Sequence, residues 1–413
     1  MPALPTLTTT LIAGMSLGIW VYLLFARGWF WRMSTAAPVP PRDGAVPSVT
    51  AVVPARNEAG VVGRAMQSLA AQAYGGEFRI VLVDDGSEDG TARVARTAAP
   101  SVDVVTAGPL PAGWGGKMWA VAQGVATARG EYLLLTDADI VHPPGSVAGL
   151  VTRAREGGYD LVSYMVRLHC GTRAEQALIP AFVFFFFLLY PPEWIAMAGR
   201  KTAGAAGGCI LIRREALERI GGIARIRGEL IDDCSLAREV KRKGGRVWLG
   251  LGDCIHSIRE YGTFGEVGQM ISRTAYTQLG YSPLLLAGTA LGLVLTFLTP
   301  PVLALAGPRG AASGMGTLAW LIMTAAYWPA VRYYGRPWFW APLLPLIAVF
   351  YLGATVYSAA MYYLGRGGMW KGRTAGQPQT WWARFCRSFY SNEKQDGPVC
   401  DEAGPLASRM DMP

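Results

Sequence analysis

Between residues 48 and 280 short apolar runs alternate with amphipathic stretches, and after residue 280 nearly continuous apolar character replaces both. Residues 49–53, Val-Thr-Ala-Val-Val, read as a buried strand. Val61, Val62, Ala65, Met66 and Leu69 then recur on one face of a 3.6-residue period, which predicts a helix to about residue 72. The pattern continues with a strand at 80–83, a helix at 91–98, a strand at 102–106 and a helix from the glycine-rich segment 113–117 to about 128. Leu133-Leu134-Leu135-Thr136 is the central strand, and a supporting amphipathic helix is expected at 235–243. Strand and helix in this order predict an α/β domain with a mostly parallel sheet and right-handed crossovers.

Carboxylates stand where these runs end. The central strand delivers Asp137 and Asp139, one residue apart, at the edge where open α/β sheets bind ligands. Such a pair suits a hard cation, because Mg²⁺ combines one or two carboxylates with substrate phosphates; an acidic turn is the plainer alternative. Asp84-Asp85-Gly86-Ser87 follows the second strand and also reads as an Asx turn. Gly113-Trp114-Gly115-Gly116-Lys117 opens a helix, where backbone N–H groups and a lysine attract phosphate, or where a loop carries a solvated lysine. Asp232 and Asp233, with Glu229 nearby, precede Ser235 and read as N-cap carboxylates or as a general base.

Residues 7–25 form an uncharged run followed by Arg27 and Arg32 among Trp29, Phe30 and Trp31, the signature of a cytoplasmic membrane interface. This predicts a retained anchor over residues 1–32 with the N-terminus outside, and a Pro-rich linker at 38–47. A transmembrane region follows over 283–364, with spans at about 283–306, 314–332 and 338–364. Four crossings place both termini outside, whereas Arg366, Lys371, Arg373, Arg384 and Arg387 favour a cytoplasmic tail, which a re-entrant pair at Pro300-Pro301 would restore. Residues 365–413 are expected to be basic and then disordered. The Phe-rich stretch 179–198, broken by Pro180, Pro191 and Pro192, is either an interfacial segment dipping into the headgroups or a buried core helix.

The chain of 413 residues is 51% hydrophobic, and its net charge of +9 raises the question of nucleic acid. Its Lys and Arg cluster near the apolar segments, so the bilayer and its anionic headgroups are the expected partner, and no nucleic acid is. The six cysteines lack Cys-x-x-Cys spacing and the three histidines lack zinc spacing, which fits a reduced compartment.

Pro54-Ala55-Arg56-Asn57-Glu58, Asp84-Asp85-Gly86-Ser87, Asp137-Ala138-Asp139 and Asp232-Asp233-Cys234-Ser235-Leu236, in this order, resemble the signatures of family 2 glycosyltransferases with the GT-A fold. The anchor, Gly-Trp-Gly-Gly-Lys-Met-Trp-Ala and the C-terminal spans are similar to the hopene-associated subgroup. The resemblance implies a Rossmann-like GT-A domain over 48–280 facing the cytoplasm of a bacterial inner membrane. It implies that Pro54, Asn57 and Glu58 lie along the nucleoside, that Asp85 accepts from the base, and that Asp137 and Asp139 hold Mg²⁺ or Mn²⁺ against the diphosphate. Lys117 would neutralise the leaving group, and Asp233, with Asp232 where Glu is usual, would be the catalytic base. Gly207 and Gly208 would border the acceptor. Gln269-Met270-Ile271-Ser272-Arg273 resembles a Gln-x-x-Arg-Trp motif with one extra residue and no Trp, which argues against a processive polymer synthase. Arg273 is then a diphosphate contact or a membrane-surface anchor.

The expected activity is inverting transfer of one sugar from a nucleotide-sugar, UDP-linked, to a lipid hydroxyl, with a hopanoid as the narrower acceptor. The alternatives are another lipid (sphingolipid-like, carotenoid or polyprenyl) and a nonenzymatic membrane scaffold. A transporter is disfavoured, because the spans carry no acidic residue and no clear repeat.

Overall fold

The sheet is built outward from β1 (Val49–Ala55), a strand with every residue buried. It pairs in parallel with β2 (Phe78–Asp84) on one side and β4 (Tyr132–Thr136) on the other, and β3 (Val102–Thr106) extends the parallel half beyond β2. Helices α2 (Ala59–Ala70), α3 (Thr91–Ala98) and α4 (Gly116–Thr127) make the crossovers. Gly124 lets α4 lie close on the sheet: a Cβ there would stand 2.5 Å from Val52 and 2.8 Å from Val83, inside van der Waals contact. That approach sets the height at which Lys117, in the first turn of α4, meets the end of β4.

The computed structural model describes residues 4–33, 35, 46–307, 310–365, 369–370 and 373–374, all within the unit Met1–Gly376. Most of the expected linker and nearly all of the tail lie outside the described residues.

Beyond β4 antiparallel pairings enter the expected mostly parallel sheet. The eight strands run β3-β2-β1-β4-β7-β6-β8-β5, with β5 (Ile140–Val141), β6 (Leu161–Arg167), β7 (Cys209–Arg213) and β8 (Val247–Ser257). After α5 (Ser146–Gly157) and β6, the chain leaves along α6 (Arg173–Leu189) and α7 (Pro192–Ala196) and returns as β7 in the opposite sense. Strand β7 therefore bonds antiparallel to both β4 and β6. Helix α8 (Arg214–Arg219) follows, then α9 (Asp232–Arg242), which begins three residues earlier than the sequence pattern suggested. Asp232 and Asp233 are thus first-turn residues, and neither is the N-cap.

Helix α6 is not broken by Pro180; it runs through it from a Thr172–Glu175 capping box. Its aromatic residues explain why: Phe184 packs 5.2 Å from Phe30 and from Tyr327, and Phe185 packs 4.8 Å from Tyr351. Over most of its length it is a buried core helix packed against helices from other parts of the chain, and the chain turns only at Pro191 and Pro192.

The remaining helices are α1 (Leu4–Ala26), α10 (Phe264–Gln278), α11 (Pro283–Leu293), α12 (Thr299–Ala306), α13 (Ala311–Tyr333) and α14 (Leu344–Tyr363). Among the described residues four stretches are long and apolar enough to cross a membrane: Leu7–Ala26, Arg173–Ala196, Pro283–Ala306 and Trp338–Tyr363. This set has α6 in the place expected for α13. Helices α11 and α12 are joined by a π-turn, Val294–Leu298, so Pro300 and Pro301 do not split the segment into a re-entrant pair. The prolines bring no N–H to the carbonyls one turn earlier. Helix α1 supplies the donors: Ser16 Oγ to the Leu295 carbonyl at 2.9 Å and Trp20 Nε1 to the Thr296 carbonyl at 2.7 Å.

Candidate active site

The C-terminal ends of β1, β2 and β4 and the start of α4 converge with α9. Lys117 Nζ lies 2.9 Å from Asp137 Oδ1 and 3.3 Å from Asp232 Oδ2, so one ammonium ties the central strand to α9. Burial alone would lower the Lys117 pKa, but Asp137, Asp232 and Asp233 outweigh it and hold the side chain charged above its ordinary value.

Asp233 is fixed by two backbone donors, Gly207 N to Oδ2 at 2.8 Å and Cys234 N to Oδ1 at 2.7 Å. Burial and then the Asp232 charge push its carboxyl up to about 6, against the pull of Lys117 and the two N–H groups. A carboxylate titrating there exchanges a proton easily near neutral pH. Gly207 belongs to the segment before β7, and the neighbouring Gly208 carbonyl accepts from Thr136 Oγ1 at 2.7 Å. Thr136, Asp137, Lys117, Asp232, Asp233 and Gly207 are therefore linked around one opening.

Asp139 is nearly buried. Its Oδ2 accepts from Ser257 Oγ at 2.8 Å and from Arg259 Nε at 3.1 Å, and Arg259 Nη2 reaches both oxygens of Glu58 at 2.7 Å. Burial and then Asp137 raise the Asp139 pKa, opposed by Arg259 and Ser257. The arrangement fits a divalent cation: Asp137 Oδ2 and Asp139 Oδ1 carry no hydrogen bond among the described residues, and both residues line one cavity. Among the described residues no group of three or more His, Cys, Asp or Glu is placed to hold a metal, so a cation here would take its other ligands from water and substrate.

The cavity measures about 820 Å³, toward the upper end of the roughly 300–1,000 Å³ usual for small-molecule sites. Of the residues anticipated from sequence, Pro54, Glu58, Lys117, Asp137, Asp139, Asp232, Asp233 and Arg273 line it, as do Gly207, Gly208 and Glu229. Asn57 and Asp85 are not among the lining residues. Asn57, with φ +52°, uses its Oδ1 to accept from Glu88 N at 2.9 Å, and Asp85 is buried with the Arg56 guanidinium 3.6 Å away. Asn57, in the loop after β1, and Asp85, after β2, hold those two loops together.

Neither Arg259 nor Ser257 stands out in the sequence as a site residue. Ser257 ends β8 and Arg259 lies two residues beyond it, and both donate to Asp139 Oδ2. Tyr261, also in the cavity wall, is placed by its backbone N–H donating to Glu175 Oε1 at 2.7 Å.

This sheet, with an acidic pair leaving β4 and an acidic helix start opposite, is a GT-A glycosyltransferase fold. A solved mannosyltransferase from Pyrobaculum calidifontis, in complex with GDP-Man and Mn²⁺, superposes with a TM-score of 0.57 at 19% identity over 85% of this chain and 98% of that one. Residues 50–221 match the family model described as glycosyl transferase family 2. The chain is 33% identical over 132 residues to an undecaprenyl-phosphate 4-deoxy-4-formamido-L-arabinose transferase of Shewanella sediminis, covering 32% of this chain and 38% of that one. It is 29% identical over 225 residues to an N-acetylglucosaminyltransferase of Rhizobium leguminosarum bv. viciae, about half of each chain at 51%. The matches thus span about two fifths to half of these relatives.

Proposed function

We propose that this protein is an integral-membrane, inverting glycosyltransferase that moves one sugar from a nucleotide-sugar, UDP-linked in the favoured case, to a lipid acceptor. The observation that carries this reading is the single cavity holding Asp137, Asp139 and Lys117 together with the backbone-fixed Asp233. In this reading the cavity's Pro54 and Glu58 end receives the nucleoside. Asp137 and Asp139 would hold a divalent cation, which would supply positive charge to the diphosphate. Lys117 adds a further positive charge from the start of α4, electrostatic work of the kind that contributes most to catalysis. Asp233 takes the proton of the acceptor oxygen as that oxygen bonds to C1 of the sugar, the C1–O bond to the diphosphate breaks, and the nucleoside diphosphate leaves with inversion. Arg273 lies on the cavity wall within reach of a bound anion.

The apolar helices support a membrane location; the cytoplasmic face of a bacterial inner membrane is favoured by Arg27 and Arg32 after the first apolar run and by the sequence resemblance, and a hopanoid is the narrower acceptor on that resemblance. The name of the Shewanella relative favours a second acceptor, a polyprenyl phosphate. The test is transfer of label from UDP-sugars and GDP-mannose into extractable lipid by purified protein with Mn²⁺ or Mg²⁺. Labelled lipid that disappears with EDTA and in Asp139→Ala supports the reading. No turnover of any donor refutes it in favour of a scaffold.

A further inference from the structure

The cavity does not end at the carboxylates. It continues between α6, which contributes Phe182 and Phe186, α10, which contributes Met270, and α14, which contributes Tyr357 and Met361. Those three helices pack on one another, and α10 is fastened to α14 through Ser358, whose Oγ accepts from Tyr276 N at 3.1 Å and donates to the Ser272 carbonyl. Tyr357 is about half exposed at 51%, so the apolar end opens on the outer face of α14, itself part of a stretch apolar enough to cross a membrane. A methionine- and aromatic-lined groove of this kind fits an irregular apolar body, because Met side chains adapt to its shape.

Charge decides what the reacting end of that body can be. Lys117 and Arg259 are already engaged, by Asp137 and Asp232 and by Glu58 and Asp139. On the rest of the wall Glu229, Asp233, Glu260 and Glu266 form no salt bridge among the described residues; Lys117 acts on Asp233 at longer range, and Arg273 is the further cation among the described lining residues. A donor diphosphate arriving with a divalent cation leaves this imbalance unchanged. A phosphate on the acceptor would add negative charge to a site already in excess of it, and like charge at close range is costly. An uncharged hydroxyl meets no such penalty.

We propose that the groove between α6, α10 and α14 binds the apolar body of an uncharged lipid alcohol, whose hydroxyl is presented to Asp233, and that it discriminates against lipid phosphates. This rests on the glycosyltransferase reading above and specifies its acceptor. From there the lipid enters sideways from the bilayer, and its hydroxyl reaches the carboxylates without leaving the groove.

The test uses the full chain in phosphatidylcholine nanodiscs with Mn²⁺ and the labelled donor panel. A C20 prenol and the matching C20 prenyl phosphate are supplied at equal mole fraction, since they share a body and differ only at the head. A diazirine-bearing prenol is photocrosslinked in parallel and its adducts are mapped by mass spectrometry. The expected result is at least tenfold more transfer to the alcohol than to the phosphate. Adducts are expected on Phe186, Met270 or Met361, competed by unlabelled prenol and not by the phosphate. Equal or greater transfer to the phosphate overturns the proposal. So do adducts confined to other helices, or adducts at these residues that the phosphate competes equally. If no donor is turned over, the glycosyltransferase reading fails, and the crosslinking pattern still decides whether the groove selects an alcohol.

Discussion

Arg259 Nε stands 3.1 Å from Asp139 Oδ2, which places a cation of the protein on one of the two carboxylates best suited to a metal. Its Nη2 holds both oxygens of Glu58, so the end of β1 and the loop after β4 are braced by one guanidinium from beyond β8. Replacing Arg259 by Ala leaves two largely buried carboxylates facing each other without that charge. Losing charged hydrogen bonds of this kind costs about 1.5–3 kcal/mol. The thermal midpoint of Arg259→Ala in detergent is expected to fall, and Mn²⁺ is expected to restore part of the loss by bringing positive charge back beside Asp139. A metal-free midpoint equal to that of the wild type would show that the bridge contributes nothing.

Asp233→Asn keeps the shape of the side chain and one oxygen for the Gly207 N–H while removing the base. Turnover is expected to drop by about 10²–10⁴-fold, with donor affinity measured by calorimetry within a factor of a few of the wild type. Substantial residual transfer would take the base role away from Asp233.

The pH profile gives an independent reading of the same group. Asp233 accepts a proton only when ionised, and its carboxyl is held up to about 6 by burial and Asp232. The kcat/KM for transfer should therefore rise through about pH 6 and level off above 7. Lys117 lowers this pKa, so Lys117→Met should move the acid limb to higher pH, in addition to slowing the reaction. A limb that stays in place in Lys117→Met would mean that another group titrates.

How much of this arrangement the sequence disclosed depends on how local each cause was. The helix at 91–98 and the strand at 102–106 appear where the periodicity put them, because each buries one face against its immediate neighbour. The mixed half of the sheet was not legible: nothing within residues 209–213 states that β7 runs antiparallel between β4 and β6. The course of α6 was misread because Pro180 is a local signal, whereas Phe30, Tyr327 and Tyr351 hold the helix together from distant parts of the chain. Similarly, the Asp137–Lys117–Asp232 junction unites residues whose kinds were recognised singly, but Arg259 meets Glu58 across some 200 positions of sequence. A resemblance built on ordered motifs carries no contact of that range.

Manganese binding can be read without turnover. Electron paramagnetic resonance of Mn²⁺ titrated with protein should show a bound ion in the presence of a nucleoside diphosphate. That signal should be lost in Asp139→Ala, since Asp137 and Asp139 are the carboxylates proposed to hold the ion and one of them is gone. Undiminished binding in Asp139→Ala would move the metal elsewhere.

Glu175 links the donor side to the apolar groove. Its side chain is fully buried, with Oε2 accepting from Gly171 N and Thr172 N at 2.9 Å and from His169 Nδ1 at 2.8 Å, while Oε1 accepts from Tyr261 N at 2.7 Å. It therefore starts α6 and, in the same carboxylate, pins the loop two residues beyond Arg259. Glu175→Ala leaves three backbone N–H groups without an acceptor, each worth about 1–3 kcal/mol when buried, and the variant is expected to be among the least stable single substitutions. Glu175→Gln keeps one oxygen and places an amide NH₂ against N–H donors on one side. It should fold, but with faster backbone hydrogen exchange at residues 259–262 and a raised KM for the donor, because Arg259 loses its support. Unchanged exchange at those residues in Glu175→Gln would show that Arg259 is held in place by Glu58 and Asp139 alone.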